Sequence, residues 1–395
     1  MPVKLSKSSQ RMQQTQSPVI PRIAKLIEQN QGTISLGQGI VYYGPPEISM
    51  NRLNAPDQSL EFNKYGSSQG LAELIKLLSN KLESENNIDI RSTSKIIVTA
   101  GANMAFLNTL FAITDPGDEI ILNAPYYFNH EMAVSMLNCS AIVIPTDAQY
   151  QLQAEKILAA ITDKTRAVVT VSPNNPTGAI YPANVLQKIN QICADKGIYH
   201  ISDEAYEYFT YDEEKHFSPA SIDGAQNHTI SLFSLSKAYG FAAWRVGYMV
   251  IPEHLHEAVI KAQDTNLICP PLASQYAAMG ALETGLEYCR QKLPLIHDIR
   301  NELLEKLSCL GGFCQYPSGS GALYLFLKLN TGLSDMEVTE YLIVNHRVAV
   351  IPGHTFGMSD QCYIRVSYGA LDKKSAAEGI QRLISGLTAI MNKEV

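Results

Sequence analysis

Strands and helices alternate through the middle of this 395-residue sequence, and that alternation limits the folds the chain can adopt. From about Lys95 to Phe241, short runs of β-branched residues are separated by longer amphipathic stretches. This pattern is typical of βαβ units and predicts an α/β fold, with a mostly parallel sheet flanked by helices. The seven predicted strands are Ile96–Thr99, Glu119–Asn123, Ala141–Ile144, Ala167–Ser172, Tyr199–Ser202, Thr229–Phe233 and Val246–Val250.

The pattern changes after about Pro252, where helical stretches are followed by three strand-like runs. The stretches are Glu253–Asn266, Leu272–Leu293 and His297–Leu310, and the runs are Ala322–Leu329, Val348–Ile351 and Cys362–Ser367. Helices with a short antiparallel sheet indicate a smaller α+β domain. We therefore predict a large domain of residues 46–284, and a small domain built from both chain ends, residues 1–45 (an N-terminal arm) and 285–395.

Composition and charge narrow the class of protein. The chain is 46% hydrophobic and 17% charged with a net charge of −7, so it is globular and lacks the basic excess that nucleic-acid binding needs. Its seven cysteines are scattered and never form a CxxC pair, which predicts reduced thiols. The uncharged run Ile96–Thr114 is interrupted by glycine and asparagine, so we expect a buried strand and helix there. We expect a cytoplasmic protein with no membrane segment and no metal site.

Three short motifs each follow a predicted strand. They are SPNNPTG at residues 172–178, SDEAY at residues 202–206 and SLSKAYG at residues 234–240, with WRVG at residues 244–247 close behind. Parallel strands present their carboxyl ends at one edge of the sheet, where α/β proteins bind ligands. The motifs are therefore expected to meet at one site.

Lys237 is the candidate nucleophile of this site. It is flanked by Ser, Ala, Tyr and Gly rather than by other charges. A desolvated lysine has a lowered pKa and reacts with carbonyl groups at neutral pH, although a lone lysine on a loop is more often solvated. Asp203, directly after an apolar strand, could hold a protonated ring nitrogen of a pyridoxal cofactor, or could only cap a helix.

Further polar residues complete the candidate site. Asn175 and Tyr206 offer an amide and a phenol to an anionic cofactor oxygen, although NPTG also favours a turn. Residues 99–103 (TAGAN) run from a strand through Gly101 into a helix, whose N-terminus attracts anions such as phosphate. Ser234, Ser236 and Arg245 would add donors. The GxG pairs in the sequence do not continue as GxGxxG, which disfavours a dinucleotide site.

Together these motifs resemble the fold-type I pyridoxal-phosphate aminotransferases of classes I and II, the aspartate-aminotransferase-like enzymes. The resemblance rests on NNPTG, SDEAYE, SLSKAYG followed by WRVG, and a late IRVSYG, and it extends from Leu36 to Arg365. It implies pyridoxal 5′-phosphate as cofactor, with pyridoxamine 5′-phosphate formed in the half-reaction. It also implies a homodimer with active sites at the subunit interface.

The resemblance assigns roles to individual residues. Lys237 is similar to the lysine that binds the cofactor covalently and carries the proton, Asp203 to the partner of the ring nitrogen, and Arg365 to the clamp of the substrate α-carboxylate. Gly39 would add a backbone donor to the substrate, and Asn175 would contact both substrate and cofactor. The remaining cofactor contacts implied are Tyr206, Tyr127, Gly101, Ala102, Asn103, Ser234, Ser236, Arg245 and, on the neighbouring subunit's phosphate, Tyr65.

Two features of the sequence bear on the substrate. Tyr127 stands where several aspartate-specific members have tryptophan, and no second arginine is recognisable for a side-chain carboxylate. The segment 38–46 (QGIVYYGPP) is aromatic where it is expected to line the substrate pocket. We therefore predict a broad, aromatic or methionine-like amino donor rather than aspartate.

The predicted activity is amino transfer from an L-amino acid to a 2-oxo acid by a ping-pong mechanism. The same cofactor site could also serve a lyase, a decarboxylase or a cyclopropane-forming synthase. A non-catalytic regulatory protein on an aminotransferase scaffold is a further alternative, which the lack of a helix-turn-helix pattern before Leu36 disfavours.

Overall fold

The computed structural model describes residues 8–54, 61–90 and 94–393. Three sheets account for the strands in this part of the chain. Numbered along the chain, the strands are Ile34–Ser35 (β1), Ser94–Thr99 (β2), Glu119–Ala124 (β3), Ser140–Pro145 (β4), Thr165–Val171 (β5), Tyr199–Asp203 (β6), Thr229–Ser234 (β7), Gly247–Pro252 (β8), Cys314–Gln315 (β9), Tyr324–Leu329 (β10), Val348–Ala349 (β11), Ile351–Pro352 (β12) and Cys362–Ser367 (β13).

The largest sheet has seven strands in the order β2-β8-β7-β6-β5-β3-β4. Strands β3 to β7 pair in parallel, whereas β8 runs antiparallel to both β2 and β7. The predicted mostly parallel sheet is confirmed, and each predicted strand is present with ends that differ by at most two residues. The carboxyl ends of β5, β6 and β7 lie side by side, at Val171, Asp203 and Ser234.

Helices cover both faces of this sheet. Along β5, Ala167 and Val169 pack in one apolar cluster with Phe106, whereas the intervening Val168 packs in a second cluster with Leu186, as the two-residue period of a strand requires. The α-helices of the described residues are Gln10–Gln14 (α1), Val19–Gln29 (α2), Glu47–Leu53 (α3), Ala72–Asn86 (α4), Ala102–Ile113 (α5), Phe128–Met136 (α6), Ala154–Ala160 (α7), Ala183–Lys196 (α8), Leu235–Ala238 (α9), His256–Asn266 (α10), Leu272–Thr284 (α11), Glu287–Arg290 (α12), Leu293–Leu307 (α13), Asp335–His346 (α14) and Lys373–Met391 (α15).

The two chain ends meet in the smaller sheets. Strands β12, β13, β10 and β9 form an antiparallel sheet in that order, as predicted. Strand β1 pairs in parallel with β11, with Ile34 opposite Val348, so the N-terminal segment joins the C-terminal part of the chain. The predicted domain boundaries at residues 46 and 284 stay a prediction.

Two predicted elements are wrong in detail. The helix expected over Leu272–Leu293 is interrupted after Thr284, because Gly285 adopts φ 74° and ψ −177°, a conformation open to glycine but not to a helix. The strand expected over Val348–Ile351 is two strands, of which β11 pairs with β1 and β12 with β13.

The uncharged run 96–114 is buried as a strand followed by a helix, β2 and α5, as expected. Within the residues described, no helix combines the length and apolar character needed to cross a membrane. All seven cysteines have free thiols, in agreement with the prediction.

Candidate active site

A cavity of about 550 Å³ lies at the sheet edge where β5, β6 and β7 end. Of the fourteen residues predicted for the site, twelve line this cavity: Gly39, Ala102, Asn103, Tyr127, Asn175, Asp203, Tyr206, Ser234, Ser236, Lys237, Arg245 and Arg365. Gly101 lies directly behind the lining, against Arg245, and Tyr65 lies outside the cavity. Residues separated by more than 300 positions in the sequence therefore converge on one chamber.

The end of β7 presents Lys237 to the cavity. The Ser234 hydroxyl accepts a hydrogen bond from the Ser236 backbone N–H (3.1 Å) and so caps the short helix α9. From α9, the Lys237 Nζ donates to the backbone oxygen of Gly39. Burial, assisted by the positive charges of Arg365 and Arg245, lowers the pKa of Lys237 to about 8. A substantial fraction of this amine is therefore neutral, and nucleophilic, near physiological pH.

The carboxylate of Asp203 is buried and held by two donors. Its Oδ1 accepts from the Ala205 backbone N–H (3.1 Å), and its Oδ2 lies 3.1 Å from the His130 Nε2. The His130 ring stacks on Phe106 with a centroid separation of 4.0 Å, and Tyr127 contacts it edge-on at 5.2 Å. These contacts fix the carboxylate in the cavity wall. Nothing in the sequence linked His130 to Asp203, because the two residues are far apart along the chain and come into contact only in the folded structure.

Tyr206 forms a pair with a residue that the sequence analysis missed, Tyr324. The two hydroxyl oxygens are 2.6 Å apart, and both side chains are buried. Burial raises the pKa of Tyr206 well above its ordinary value of 10, so its phenol stays protonated and can donate a hydrogen bond. Tyr324 lies at the start of β10, in a strand that periodicity alone marks as core.

Arg365 on β13 is a buried guanidinium with no acidic partner in the described part of the chain. Its Nη1 donates to Asn175 Oδ1 (2.8 Å) and its Nη2 to the backbone oxygen of Gly37 (2.7 Å). Its Nε is buried without a hydrogen-bond partner. Because a buried charge without a counter-ion is costly, this arrangement suits the carboxylate of a ligand.

Another part of the cavity lining suits a phosphate. Helix α5 begins at Ala102 with Gly101 as its N-cap, so backbone N–H groups at the start of α5 have no helical partner. Arg245 lies beside this terminus, where its Nη2 donates to the backbone oxygen of Ala100 (3.1 Å). A Cβ on Gly101 would lie 2.3 Å from the same Nη2, so glycine allows the guanidinium to approach.

These groups fit pyridoxal phosphate. The cavity places a buried amine of lowered pKa, a buried carboxylate, a phenol donor and an anion-binding helix terminus around one volume. The unpaired Nε of Arg365 remains for a second, carboxylate-bearing ligand. The donor set therefore matches both the cofactor and an amino acid.

The aromatic segment 38–46 does not line the cavity as expected, since only Gln38, Gly39 and Ile40 of that segment reach it. The ring of Tyr43 packs against Tyr42 and Tyr288 instead of lining the cavity. Its hydroxyl donates to the backbone oxygen of Lys237 (3.1 Å) and so stabilises α9. One wall of the cavity is formed by one face of α2, a helix that was not predicted to lie at the site. The four residues recur at helical spacing: Ile20, Ile23, Ala24 and Ile27.

Known proteins resemble this chain over nearly its full length. An aromatic aminotransferase from Arabidopsis thaliana is 34% identical over 97% of both chains. An aspartate aminotransferase from Pyrococcus abyssi is 33% identical, covering 86% of this chain and 88% of that protein. Among solved structures, the aspartate aminotransferase of Thermus thermophilus bound to maleate superposes with a TM-score of 0.88 and 27% identity, over 97% of this chain and all of that one.

The family described as aminotransferase class I and II matches residues 31–383, a span that includes all the residues that line the cavity except four at its α2 wall. The lysine, carboxylate and arginine of the cavity are those that the resemblance in sequence had singled out. The chain accordingly belongs to the class I and II aminotransferases, pyridoxal-phosphate enzymes of fold type I.

Proposed function

We propose that this aminotransferase takes its amino group from L-amino acids with aromatic, methionine-like or other large apolar side chains, and passes it to a 2-oxo acid. The observation that carries this proposal is the apolar wall of the cavity, where α2 contributes Ile20, Ile23 and Ile27 and the facing segments add Ile40 and Ile351. The basic residues in the described lining are Lys237, Arg245 and Arg365. Each of the three has a task proposed below, so the lining described for this subunit offers no further cation to a second carboxylate.

The chain's own residues divide the chemistry among them. Pyridoxal phosphate, when bound, supplies an electron sink for the pair left at the substrate Cα. Asp203 would hold the ring nitrogen in its protonated form, and Asn175 and Tyr206 would donate to the ring's anionic oxygen. Lys237 would attach the cofactor and, once the substrate amino group has displaced it, would take the proton from Cα with its Nζ. The start of α5 with Arg245, Ser234 and Ser236 would bind the phosphate.

Arg365 would orient the substrate by a charge-assisted bond to its α-carboxylate, with Gly39 adding a backbone contact. We infer that a substrate held at Arg365 extends its side chain toward α2, because Ile20 and Ile27 line the same cavity. Since Ile20 and Ile40 are 40% and 38% exposed in the described chain, a large apolar side chain gains by covering them.

The names of the relatives are compatible with either preference. Among the curated relatives, one from Thermococcus litoralis is an aromatic-amino-acid aminotransferase and is 31% identical, whereas the protein from Pyrococcus abyssi acts on aspartate by its name. The preference proposed here therefore rests on the lining of the cavity.

A donor screen tests the proposal. The holoenzyme is mixed with L-phenylalanine, L-tyrosine, L-methionine or L-aspartate, and conversion of the cofactor to its amine form is followed by absorbance. We expect kcat/KM for phenylalanine and methionine to exceed that for aspartate by about tenfold or more, because aspartate would leave a carboxylate against isoleucines. A preference for aspartate contradicts the proposal, and so does ammonia release without transfer to 2-oxoglutarate.

A matched pair of variants tests whether α2 determines the preference for an apolar amino donor. Ile20→Arg places a cation at a half-exposed position of the wall, and Ile20→Met preserves its apolar character. We expect the arginine variant to gain activity with aspartate relative to phenylalanine, while the methionine variant keeps the original ratio. Equal ratios in both variants would exclude α2 as the source of the preference.

A further inference from the structure

Tyr324 contacts both a cofactor-binding and a substrate-binding residue of the proposed site, and none of the chemistry proposed for the site uses it. Its hydroxyl is 2.6 Å from that of Tyr206, on the cofactor side. Its ring lies under the Arg365 guanidinium, 4.4 Å from Cζ to the ring centroid, on the substrate side. We propose that Tyr324 is a positioning residue whose hydroxyl donates to Tyr206, and thereby aims the Tyr206 proton at the cofactor, while its ring supports Arg365.

The number of protons on the two tyrosines determines which hydroxyl donates in the hydrogen bond between them. Burial raises the pKa of both phenols, so each carries one proton near neutral pH. If the proton of Tyr206 is given to the cofactor's anionic oxygen, the Tyr206 oxygen can only accept from Tyr324. The two hydroxyls then form a chain in which each donation strengthens the next.

The backbone around Tyr324 leaves little room for another arrangement. A Cβ on Gly39 would lie 2.3 Å from the Tyr324 hydroxyl oxygen, so that hydroxyl is held against the loop that also accepts from Lys237. A Cβ on Gly178 would lie 2.5 Å from the Tyr324 backbone oxygen. Larger residues at Gly39 and Gly178 would clash with Tyr324, so glycine at both positions allows Tyr324 to occupy its place in the cavity.

The ring of Tyr324 has a separate task. The guanidinium of Arg365 lies over two rings, that of Tyr324 and that of Phe356, whose centroid is 5.0 Å from Cζ. Aromatic faces attract a desolvated cation and hold its plane, which keeps Nε directed at the position of a carboxylate. The hydroxyl and the ring can thus be tested one at a time, by Tyr324→Phe and by Tyr324→Leu.

The first test is a double-mutant cycle read by spectroscopy. The apparent pKa of the cofactor absorbance is titrated in wild type, Tyr206→Phe, Tyr324→Phe and the double variant. Loss of a donor to the anionic oxygen raises this pKa, so we expect Tyr206→Phe to raise it by about one unit, a tenfold change in the protonation equilibrium. Tyr324→Phe should raise it by less, and should add nothing in the Tyr206→Phe background.

The second test measures binding of 3-phenylpropionate, a carboxylate that lacks the reacting amino group. We expect its dissociation constant to change less than about twofold in Tyr324→Phe, and to increase about three- to tenfold in Tyr324→Leu, as the loss of a cation–π contact predicts. Tyr368→Phe is the control for general damage, because that buried hydroxyl donates nearby, to the Gly321 oxygen (3.2 Å), without lining the cavity. It should change neither quantity.

The inference rests on the roles proposed for Tyr206 and Arg365. The outcomes distinguish a failure of the inference about Tyr324 from a failure of the proposed function. Additive shifts in the cycle, or no shift in Tyr324→Phe, overturn the positioning role while the proposed function stands. Unchanged ligand affinity in Tyr324→Leu overturns the support of Arg365. A wild-type protein that binds no absorbing cofactor contradicts the proposed site, and the inference with it.

Discussion

Lys237 illustrates what burial does to a single side chain. Burial removes water from its amine, which keeps one hydrogen bond to the Gly39 oxygen. The same burial lowers the pKa of the amine to about 8. The same desolvation that makes the amine a nucleophile makes its charged form costly in the folded chain. Reactivity and stability are therefore opposed at this residue.

That opposition predicts a pH dependence of stability in the cofactor-free protein. The folded pKa of Lys237 is about 8 against an ordinary 10.5, so between these values the unfolded chain holds a proton that the folded chain has lost. The free energy of unfolding should therefore rise with pH in this window, by about 3 kcal/mol in total from this group. Urea unfolding of wild type and Lys237→Met at several pH values isolates the contribution. A difference between the two proteins that is flat from pH 8 to 10.5 would refute it.

The residues that sequence reasoning found and missed differ in a physical respect. Lys237, Asp203 and Asn175 stand in short motifs directly after strands, so their position at the sheet edge follows from the chain itself. His130 and Tyr324 act through partners far away in sequence, and their neighbours mark them only as part of a helix and a core strand. Such roles depend on tertiary contact and leave no local signal.

At the scale of elements, the strands were predictable and several connections were not. A β-branched run buried on both faces has few alternatives to a central strand, whereas a lone glycine such as Gly285 can lie inside a helix or end it. Helix α2 is a further case, because its apolar face predicts burial but not that the buried surface lines a ligand cavity.

The turn that follows β5 offers a test at this scale. Gly178 has φ 72°, and an added Cβ would lie 2.5 Å from the Tyr324 backbone oxygen at the start of β10. We expect Gly178→Ala to lower the free energy of unfolding by about 2 kcal/mol or more, from backbone strain together with displacement of β10. It should also weaken 3-phenylpropionate binding, because Tyr324 moves with the strand.

Gly197 supplies the matched control for this prediction. It has a similar φ of 66° at the end of α8, but no atom lies within 4 Å of an added Cβ. Gly197→Ala should therefore cost only the conformational strain, about 1–2 kcal/mol, and leave ligand binding unchanged. Equal losses of stability in the two variants would show that the contact with Tyr324 is unimportant.

For the whole molecule, the net charge of −7 proved uninformative about the ligands. An anionic cofactor and carboxylate substrates fit a negative protein because Arg245, Arg365 and the start of α5 act at short range inside a cavity. Strand β1 near one chain end pairs with β11 near the other, and the predicted division into a large and a small domain stays a prediction. The sequence could not predict which residues a second subunit would cover.

Tyr65 bears on that question. It is 81% exposed and lies outside the cavity of its own chain. A Cβ on the neighbouring Gly66 would lie 2.7 Å from the Leu272 side chain at the start of α11, and α3, which packs on α11, leaves Ile48 and Met50 45% and 43% exposed. An exposed apolar surface of this kind is typical of a subunit interface. We propose a homodimer in which Tyr65 reaches the phosphate of the neighbouring subunit.

Hybrid dimers decide whether Tyr65 acts across the interface. Tyr65→Phe should weaken cofactor retention about tenfold, as expected for one hydrogen bond to a phosphate, with unchanged thermal unfolding of the apo-protein. Lys237→Ala should abolish turnover, but it keeps its own Tyr65. In a dimer of one Tyr65→Phe chain and one Lys237→Ala chain, the site that contains Lys237 receives an intact tyrosine from its partner, so it should retain cofactor as wild type does. If Tyr65 served its own chain, that site would retain cofactor as weakly as the Tyr65→Phe homodimer, because the partner's tyrosine could not replace the missing hydroxyl.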